Sequence, residues 1–522
     1  MHKQILKGHE ARLKIKAGVD KACDAVRPTL GAVGMTALLE FPGLDPIECD
    51  DGVTILKNLE FKDHYENIGL QMLRKGALRT STLGGDGTAT TTVLTQALNN
   101  EAFKEIANDS SKIREVRERL QNGLAEVIVE LSKIKREVSE DDIEKIATIS
   151  SLDPEVAKLI AEVIKEIGVN GVVTVEKGAK LGYSKEVVKG ARFDSGFISP
   201  YFINQANEQT CVLNEPYIAL IDRRVSTNEQ IISLLDSIGT GKDILFIADE
   251  IDSVALATLA QNHINKVANI ACVRNPYSAS RAKDFLFDMA ALTGGTVISE
   301  EKGMKLDTAT AELCGRAEKV IVTKGNTTII GGISGEALES RIQDIQSQIE
   351  ETTSDYEKLM LEERLACLTG GIGVIRVGAY TDTEFHAKKF KFVNAINATQ
   401  AALQEGILAG GGLALLDVSY KIQEPMFKTA LTSPFFQMVI NAGMDRRSKL
   451  QKFLGFKTHI EVSTANSEGI NFKTKEKVNM FDAGIIDPFK VTRTALESAT
   501  AIACSLIGAE TVITVEDDEK KV

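Results

Sequence analysis

Apolar positions recur along this chain with two different periods, and the change from one to the other divides it. Val19, Cys23 and Val26 follow one another at i, i+4 and i+7, one face of a helix predicted over about residues 10–27. Pro28 stops that helix, and Thr29-Leu30-Gly31-Ala32-Val33-Gly34 reads as a turn. Thr36–Phe41 and Ile47–Cys49 read as a strand and its return, with Pro42-Gly43 turning between them. Helical spacing resumes over 64–82, with Ile68, Met72 and Leu73 inward, and continues near 92–108 and 111–134. Asp141–Ala147 and Pro154–Ile167 read as short helices, the second capped by Asp153 with proline at its first position. Residues 169–175 then turn into a strand.

From about Gly190 the texture changes. Apolar strands at Tyr217–Ile221, Ile244–Ala248 and Ile270–Val273 alternate with amphipathic helices at Asn228–Ile238 and Ser253–Ile264, the pattern of an α/β layer. Ile342–Cys367 reads as one long helix rich in Glu and Gln, ending at Gly370-Gly371. A strand at Val374–Val377 and a helix over 383–407 follow, then Ala409-Gly410-Gly411-Gly412. Asp487-Pro488 reads as a helix cap and first-turn proline, Thr511–Val515 as a strand, and 516–522 as a frayed polar tail. The order is helical, mixed, α/β, mixed, helical, so the α/β block reads as an insertion between helical ends. The 36–41/47–49 hairpin and the 511–515 strand have no evident partner, and such short strands gain little unless they pair with a neighbour.

Composition narrows the class. A chain of 522 residues with 43% hydrophobic and 26% charged content fits a folded protein, with room for about three or four domain-sized units. The net charge of −12 excludes a large nucleic-acid footprint. Apolar runs fall short of a membrane span, and residues 1–10 contain no apolar signal core, so a cytoplasmic location is expected. The seven scattered cysteines form no Cys-x-x-Cys and read as reduced thiols. No histidine pair has metal-ligand spacing, which leaves nucleotide-borne magnesium as the expected metal.

The stretch richest in chemistry is Gly84-Gly85-Asp86-Gly87-Thr88-Ala89-Thr90-Thr91-Thr92, which feeds the apolar run Val93-Leu94. A glycine loop entering a helix presents unpaired N–H groups at the positive end of the helix dipole, a site for phosphate. Asp86 could hold magnesium bridging phosphates, and Thr88 and Thr90 add hydroxyl donors. The plainer reading is a capped helix start, with Asp86 or Thr88 as cap. No Gly-Lys-Ser/Thr follows, so the loop is not of Walker type. Ile231, Leu235 and Ile238, with Ile232 beside them, read by themselves as a helix's core face.

Eight separated stretches then match one family in its own order: Thr29-Leu30-Gly31, Asp51-Gly52-Val53, Glu66-Asn67-Ile68-Gly69, Gly85-Asp86-Gly87-Thr88, Ser199-Pro200-Tyr201-Phe202-Ile203-Asn204, Thr293-Gly294-Gly295-Thr296-Val297-Ile298, Ala409-Gly410-Gly411-Gly412 and Asp487-Pro488-Phe489-Lys490-Val491-Thr492-Arg493. Nearly end to end, the chain resembles a GroEL-type group I chaperonin, of the chaperonin 60 family. The resemblance implies a multi-domain fold: an all-α equatorial ATP-binding domain from 1–132 and 405–522, a small α+β intermediate hinge domain from 133–189 and 373–404, and an inserted α/β apical substrate-binding domain, 190–372. It implies back-to-back rings that capture unfolded polypeptide, enclose it under a lid co-chaperonin and release it with ATP and Mg2+. Carried over residue by residue, the nucleotide pocket takes Thr29, Leu30, Gly31, Ala32, Asp50, Asp51, Gly52, Asp86, Gly87, Thr88, Ala89, Thr90, Gly411, Asn471, Phe472, Lys473 and Asp487. Asp86 is the implied magnesium ligand and Asp487 the implied ribose ligand. The client groove takes Phe197, Ser199, Tyr201, Phe202, Ile232, Leu235, Leu256 and Ala260.

The departures bear on catalysis. Asn394 stands where the family has a hydrolysis-critical aspartate; an amide keeps an acceptor but loses the charge and proton affinity that activate water. Asp50 replaces a lysine, Ala89 a threonine, and Phe472-Lys473 two small residues of the base pocket. Ala260 and Gln261 replace larger aliphatics, and a Gly-Gly-Met tail is missing. These features describe a divergent chaperonin with weakened hydrolysis, Asp51 remaining as the other catalytic candidate. The alternative is a non-hydrolysing binding or structural subunit, with a specialised client or mixed into rings of a regular paralogue. A small-molecule α/β enzyme using the Asp86 loop is a third class that the eight ordered stretches disfavour.

Overall fold

The computed structural model describes residues 3–515 except 41–45, 107–108, 152, 169–170, 179–180, 207, 278–279, 333–334, 353 and 445–466. The chain forms two compact units, one from Met1–Ala161 with His386–Val522 and one from Glu162–Phe385. All seven cysteines are free and five are buried, as reduced thiols should be.

The first unit is mainly helical and joins the two chain ends. Helices Gly8–Val26, His64–Gly84, Thr88–Ile106, Ile113–Ile134 and Phe489–Ile507 share a single core, in which Leu70, Leu73, Leu94, Leu98, Leu120, Leu496 and Leu506 are buried. The first two of these cross at glycines: a Cβ on Gly18 would lie 1.9 Å from the Glu66 carbonyl oxygen, and one on Gly69 2.1 Å from that of Ile15. The backbones approach so closely that no side chain fits between them.

The strand Thr511–Val515 does not wait for a neighbouring subunit. It pairs antiparallel with Lys3–Lys7, a strand that the alternation in Lys-Gln-Ile-Leu-Lys is too short to announce. The Gly8 N–H donates to Glu510 O at 2.7 Å, and the buried Arg12 guanidinium donates to the Glu510 carboxylate at 2.7 Å, which locks the junction. Ala37–Leu39 pairs only with Ile47–Cys49 among the described residues, leaving Leu38 and Ile47 exposed; Phe41, Pro42 and Gly43 lie outside the described residues.

The second unit is a ten-stranded mixed sheet. Tyr217–Val225, Asp243–Ile251 and Asn269–Arg274 run parallel at one end, with Val297–Ile298 parallel to the first of them. Their side chains alternate between two cores. Leu220, Leu245, Ile247, Ala271 and Val273 meet helices Ser280–Thr293, Glu336–Glu351 and Asp355–Thr369 on one face. Ala219, Ile221, Phe246, Ala248 and Cys272 meet helices Glu229–Ile238 and Ser253–Ile264 on the other. Burial on both faces explains why these strands read as unbroken apolar runs.

Two sequence expectations change here. The single helix over 342–367 is two helices, because Ser354 caps the second by accepting the Glu357 N–H at 3.3 Å. Buried Asp288 accepts from Arg341 at 2.7 Å and from Arg364 at 2.8 Å, tying both helices to Ser280–Thr293. Asp487 is not a helix cap: it belongs to the strand Ile486–Pro488, paired with Ile407–Ala409, and Pro488 takes the cap position without a side-chain bond.

The crossing at Gly18 and Gly69 yields a direct test. Gly69→Ala forces two backbones apart and should cost roughly 1–3 kcal/mol, the usual penalty of overpacking. Gly76→Ala meets only the flexible Ile502 side-chain end, at 2.5 Å, and should cost less. Urea denaturation followed by circular dichroism should therefore show the larger midpoint loss for Gly69→Ala.

Candidate functional site

In the first unit, helix His64–Gly84 ends at Gly85, which sits in the left-handed region with φ 80° and donates to Ser81 O at 2.8 Å. Asp86 and Gly87 follow, Gly87 at φ 90°, and helix Thr88–Ile106 begins at once. The turn needs glycine twice over. A Cβ on Gly85 would lie 2.1 Å from Asn397 Cβ, and one on Gly87 2.6 Å from Val491 Cγ1. The turn is thus wedged between helix Asp382–Glu405, which carries Asn394 one turn before Asn397, and the start of helix Phe489–Ile507, directly after Asp487.

Gly52 has the Thr88 methyl and Val26 at 3.0 Å from where its Cβ would be, which seats Asp50-Asp51-Gly52 beside Thr88. Leu30, Phe435, Met438 and Phe472 share a buried cluster with Ala89 packed on it, bringing the Thr29–Ala32 and Asn471–Lys473 turns to the same place. Gly411 lies against Met480 and Phe472, and the Gly410 N–H donates to Ile485 O at 2.9 Å, two residues before Asp487. Short segments far apart in sequence therefore meet around the Asp86 turn.

The electrostatics of the cleft are one-sided. Gly87 N–H donates to Asp86 Oδ1 at 2.6 Å. Burial among protein atoms, reinforced by the charge of Asp51, raises the Asp86 carboxyl above the usual carboxylate range against that bond. Burial and the charge of Asp86 push Asp487 up to about 7. Solvent still reaches both side chains, as in an open crevice, and moderates the rise. No cation faces either carboxylate among the described residues. Nor do those residues contain three or more histidine, cysteine or carboxylate side chains grouped to hold a metal alone. Two carboxylates that repel each other beside a helix N-terminus fit magnesium that brings its own phosphate oxygens.

One oxygen of Asp51 is engaged within its own helix. Its Oδ2 caps helix Gly52–Asn58, accepting the Thr54 N–H at 2.7 Å and the Thr54 hydroxyl at 2.6 Å. The Asn471 amide oxygen closes its own turn, accepting from Lys473 N at 3.0 Å and Thr474 N at 3.4 Å. The Phe472 ring is buried against Phe435, 5.7 Å between centroids, and lies beside Gly411. The wall residues Asn397, Val491 and Met438 escaped sequence reasoning, since only tertiary packing brings them to the turn.

The residues that the sequence assigned to a client groove separate by exposure. Tyr201 is 68% exposed on the turn Pro200–Phe202, which Ser199 caps through its hydroxyl, and Ile232 is 46% exposed. Leu235, Leu256 and Phe197 are half-buried. Phe202 and Ala260 lie in the core, Phe202 edge-on to His263, so they support the surface rather than form it. Ile231, Leu234 and Ile238 make the inward face of helix Glu229–Ile238, while Ile232 points out. Val254 and Ile264, 56% and 53% exposed, add apolar surface on helix Ser253–Ile264 that the sequence pattern did not single out. No described helix is long and apolar enough to cross a membrane.

Comparison with known proteins agrees with this architecture. The chaperonin gp146 from the bacteriophage EL 2 (Pseudomonas aeruginosa), crystallised in the presence of ATP-BeFx, superposes in one crystal form with a TM-score of 0.70 at 21% identity, covering 98% of this chain and 99% of that one. A second crystal form gives a TM-score of 0.65 at 20% identity over the same shares of both chains. At such identity the likeness is one of fold. The model of the TCP-1/cpn60 chaperonin family matches residues 23–237 and 228–517, nearly the whole sequence. The chain belongs to the TCP-1/cpn60 chaperonin family.

Proposed function

We propose that this chain is a chaperonin subunit that binds Mg-ATP at the Asp86 turn and holds unfolded polypeptide on the apolar face around Tyr201 and Ile232, with weakened hydrolysis. The observation that carries the reading is the approach of Asp86 and Asp487, unneutralised, at the start of helix Thr88–Ile106. Asp86 would hold the magnesium ion and Asp487 the ribose hydroxyls. Thr88, Ala89 and Thr90 would offer N–H groups, and Thr88 and Thr90 also hydroxyls, to phosphate oxygens. Magnesium would supply neutralisation of the charge that develops as the phosphate bond breaks. That gp146 was crystallised with ATP-BeFx supports nucleotide as the ligand class.

Three working domains, the equatorial (1–132, 405–522), the intermediate (133–189, 373–404) and the apical (190–372), belong to this reading. So do a cytoplasmic location, assembly into homo-oligomeric rings, and a lid co-chaperonin. The exposed Leu38 and Ile47 would supply a subunit contact. The second reading, a non-hydrolysing subunit alone or in hetero-rings, is favoured by Asn394 and by Asp51. Asn394 lacks the charge to orient water, and Asp51 spends one carboxylate oxygen on Thr54. Asp50, adjacent to Asp51, adds negative charge close to where phosphates would lie.

Purified protein should bind Mg-ATP while turning it over slowly, because loss of a group acting mainly in the transition state removes about two to four orders of magnitude in rate. Asn394→Asp should raise single-turnover hydrolysis at least about tenfold, equivalent to roughly 1.4 kcal/mol of barrier. Brisk wild-type turnover, unchanged by Asn394→Asp, would return the role to Asp51 and remove the weakened-hydrolysis reading.

Capture of unfolded chains has its own test. Tyr201→Ser with Ile232→Ser alters two exposed side chains and should leave the melting temperature within about 2 °C, as surface substitutions usually do. The double variant should suppress aggregation of a chemically denatured protein less well than wild type. Equal suppression by the two proteins would place the client surface elsewhere.

A further inference from the structure

A chain of buried hydroxyls runs from the Asp86 turn into the helical core. Thr91 Oγ1 lies 2.9 Å from Gly87 O and 3.0 Å from Thr80 Oγ1, which in turn lies 3.1 Å from Ser498 Oγ. The three residues belong to three helices, Thr88–Ile106, His64–Gly84 and Phe489–Ile507, and each is at most 2% exposed. We infer that Thr91, Thr80 and Ser498 are a positioning relay that aims the Gly87–Thr88 peptide at the nucleotide phosphates, an inference that rests on the nucleotide reading above.

The geometry works through the planarity of one peptide. In a trans peptide the C=O and the following N–H point in opposite directions. Gly87 O is held inward twice, by the Thr91 N–H at 2.8 Å and by the Thr91 hydroxyl. The Thr88 N–H of the same peptide is therefore directed out of the core, toward the cleft. Gly87 needs this restraint because, at φ 90°, it has no side chain of its own to fix it. Val491 Cγ1 and Thr80 Cγ2 close the space where its Cβ would be, at 2.6 and 3.2 Å. Methyl contacts thus confine the residue while hydroxyls set the tilt of its peptide.

Packing alone does not call for this arrangement. Valine or alanine would fill these sites without burying polar atoms that must be satisfied. Threonine is also a weaker helix former than alanine, yet three follow one another at Thr90-Thr91-Thr92. Thr80 Oγ1 also lies 3.2 Å from Gly76 O, so the central hydroxyl is tied to its own helix as well as to the other two. Ser498 anchors the far end on the helix that begins directly after Asp487, so the relay ties the turn bearing Asp86 to the opposite carboxylate's wall.

Calorimetric titration of the full chain with Mg-ADP, with the nucleotide-free melting temperature measured in parallel, tests this. Thr80→Val keeps the shape and removes the central hydroxyl; it should weaken Mg-ADP at least about tenfold. Thr80→Ser, which keeps the hydroxyl, should stay within about threefold of wild type. A folded Thr80→Val that binds like wild type would reduce the chain to packing and overturn the inference. So would Thr80→Ser binding as weakly as Thr80→Val, since the methyl would then be what matters. If Thr80→Val does not fold, Ser498→Ala decides by the same titration: a loss of about threefold or more supports the relay, and none refutes it. Wild-type protein that binds no Mg-ADP would sink the nucleotide reading itself, and the relay with it.

Discussion

Asp86 and Asp487 come from distant parts of the chain, and the charge of Asp86 adds to burial in making Asp487 harder to ionise. Two like charges in a crevice are unfavourable, so something else must hold them together. That role falls to packing: Gly85 against Asn397, Gly87 against Val491, and the chain ends sewn together through Lys3–Lys7, Thr511–Val515 and the Arg12–Glu510 pair. The helical core of the first unit supplies the apolar burial that offsets the strain. On the proposed reading, a cation and phosphates bound there would relieve that repulsion.

Under the proposed function, loss of one carboxylate need not mean loss of nucleotide. On the proposed reading, backbone N–H groups and Asp86 would act on the ground state, whereas a residue at 394 would act when water attacks. Asn394 stands on the helix that packs against Gly85, so its position is kept while its charge is gone. The packing at this wall does not depend on a charge at 394, so the proposed binding would be separable from hydrolysis.

Much of this was legible in the sequence because it depended on local rules. The glycine–aspartate–glycine turn entering a helix, the Asp153 cap and the doubly buried parallel strands all follow from short-range patterns. What was missed depended on distant partners. Lys3–Lys7 is a strand only because Thr511–Val515 lies beside it, and the helix break before Asp355 turns on one serine hydroxyl. Phe202 and Ala260 face the core although their neighbours Tyr201 and Gln261 face out, a distinction of one residue that a broad apolar stretch does not encode. The relay through Thr80, Thr91 and Ser498 spans residues 418 apart in sequence at its longest step and has no sequence signature.

The most direct test of the opposed carboxylates is the melting temperature of the nucleotide-free protein against pH, for wild type and Asp487→Asn. Asp487 has its folded-state value raised to about 7, above the roughly 3.9 of an unperturbed aspartate. The folded state therefore binds the extra proton, and this group's contribution to stability is lost as pH rises through that window. Wild type should lose melting temperature from pH 5 to pH 8 more steeply than Asp487→Asn, and saturating Mg-ADP should remove most of the difference at pH 8. Parallel profiles for the two proteins, with no gain from Mg-ADP, would contradict a strained carboxylate pair relieved by metal and nucleotide.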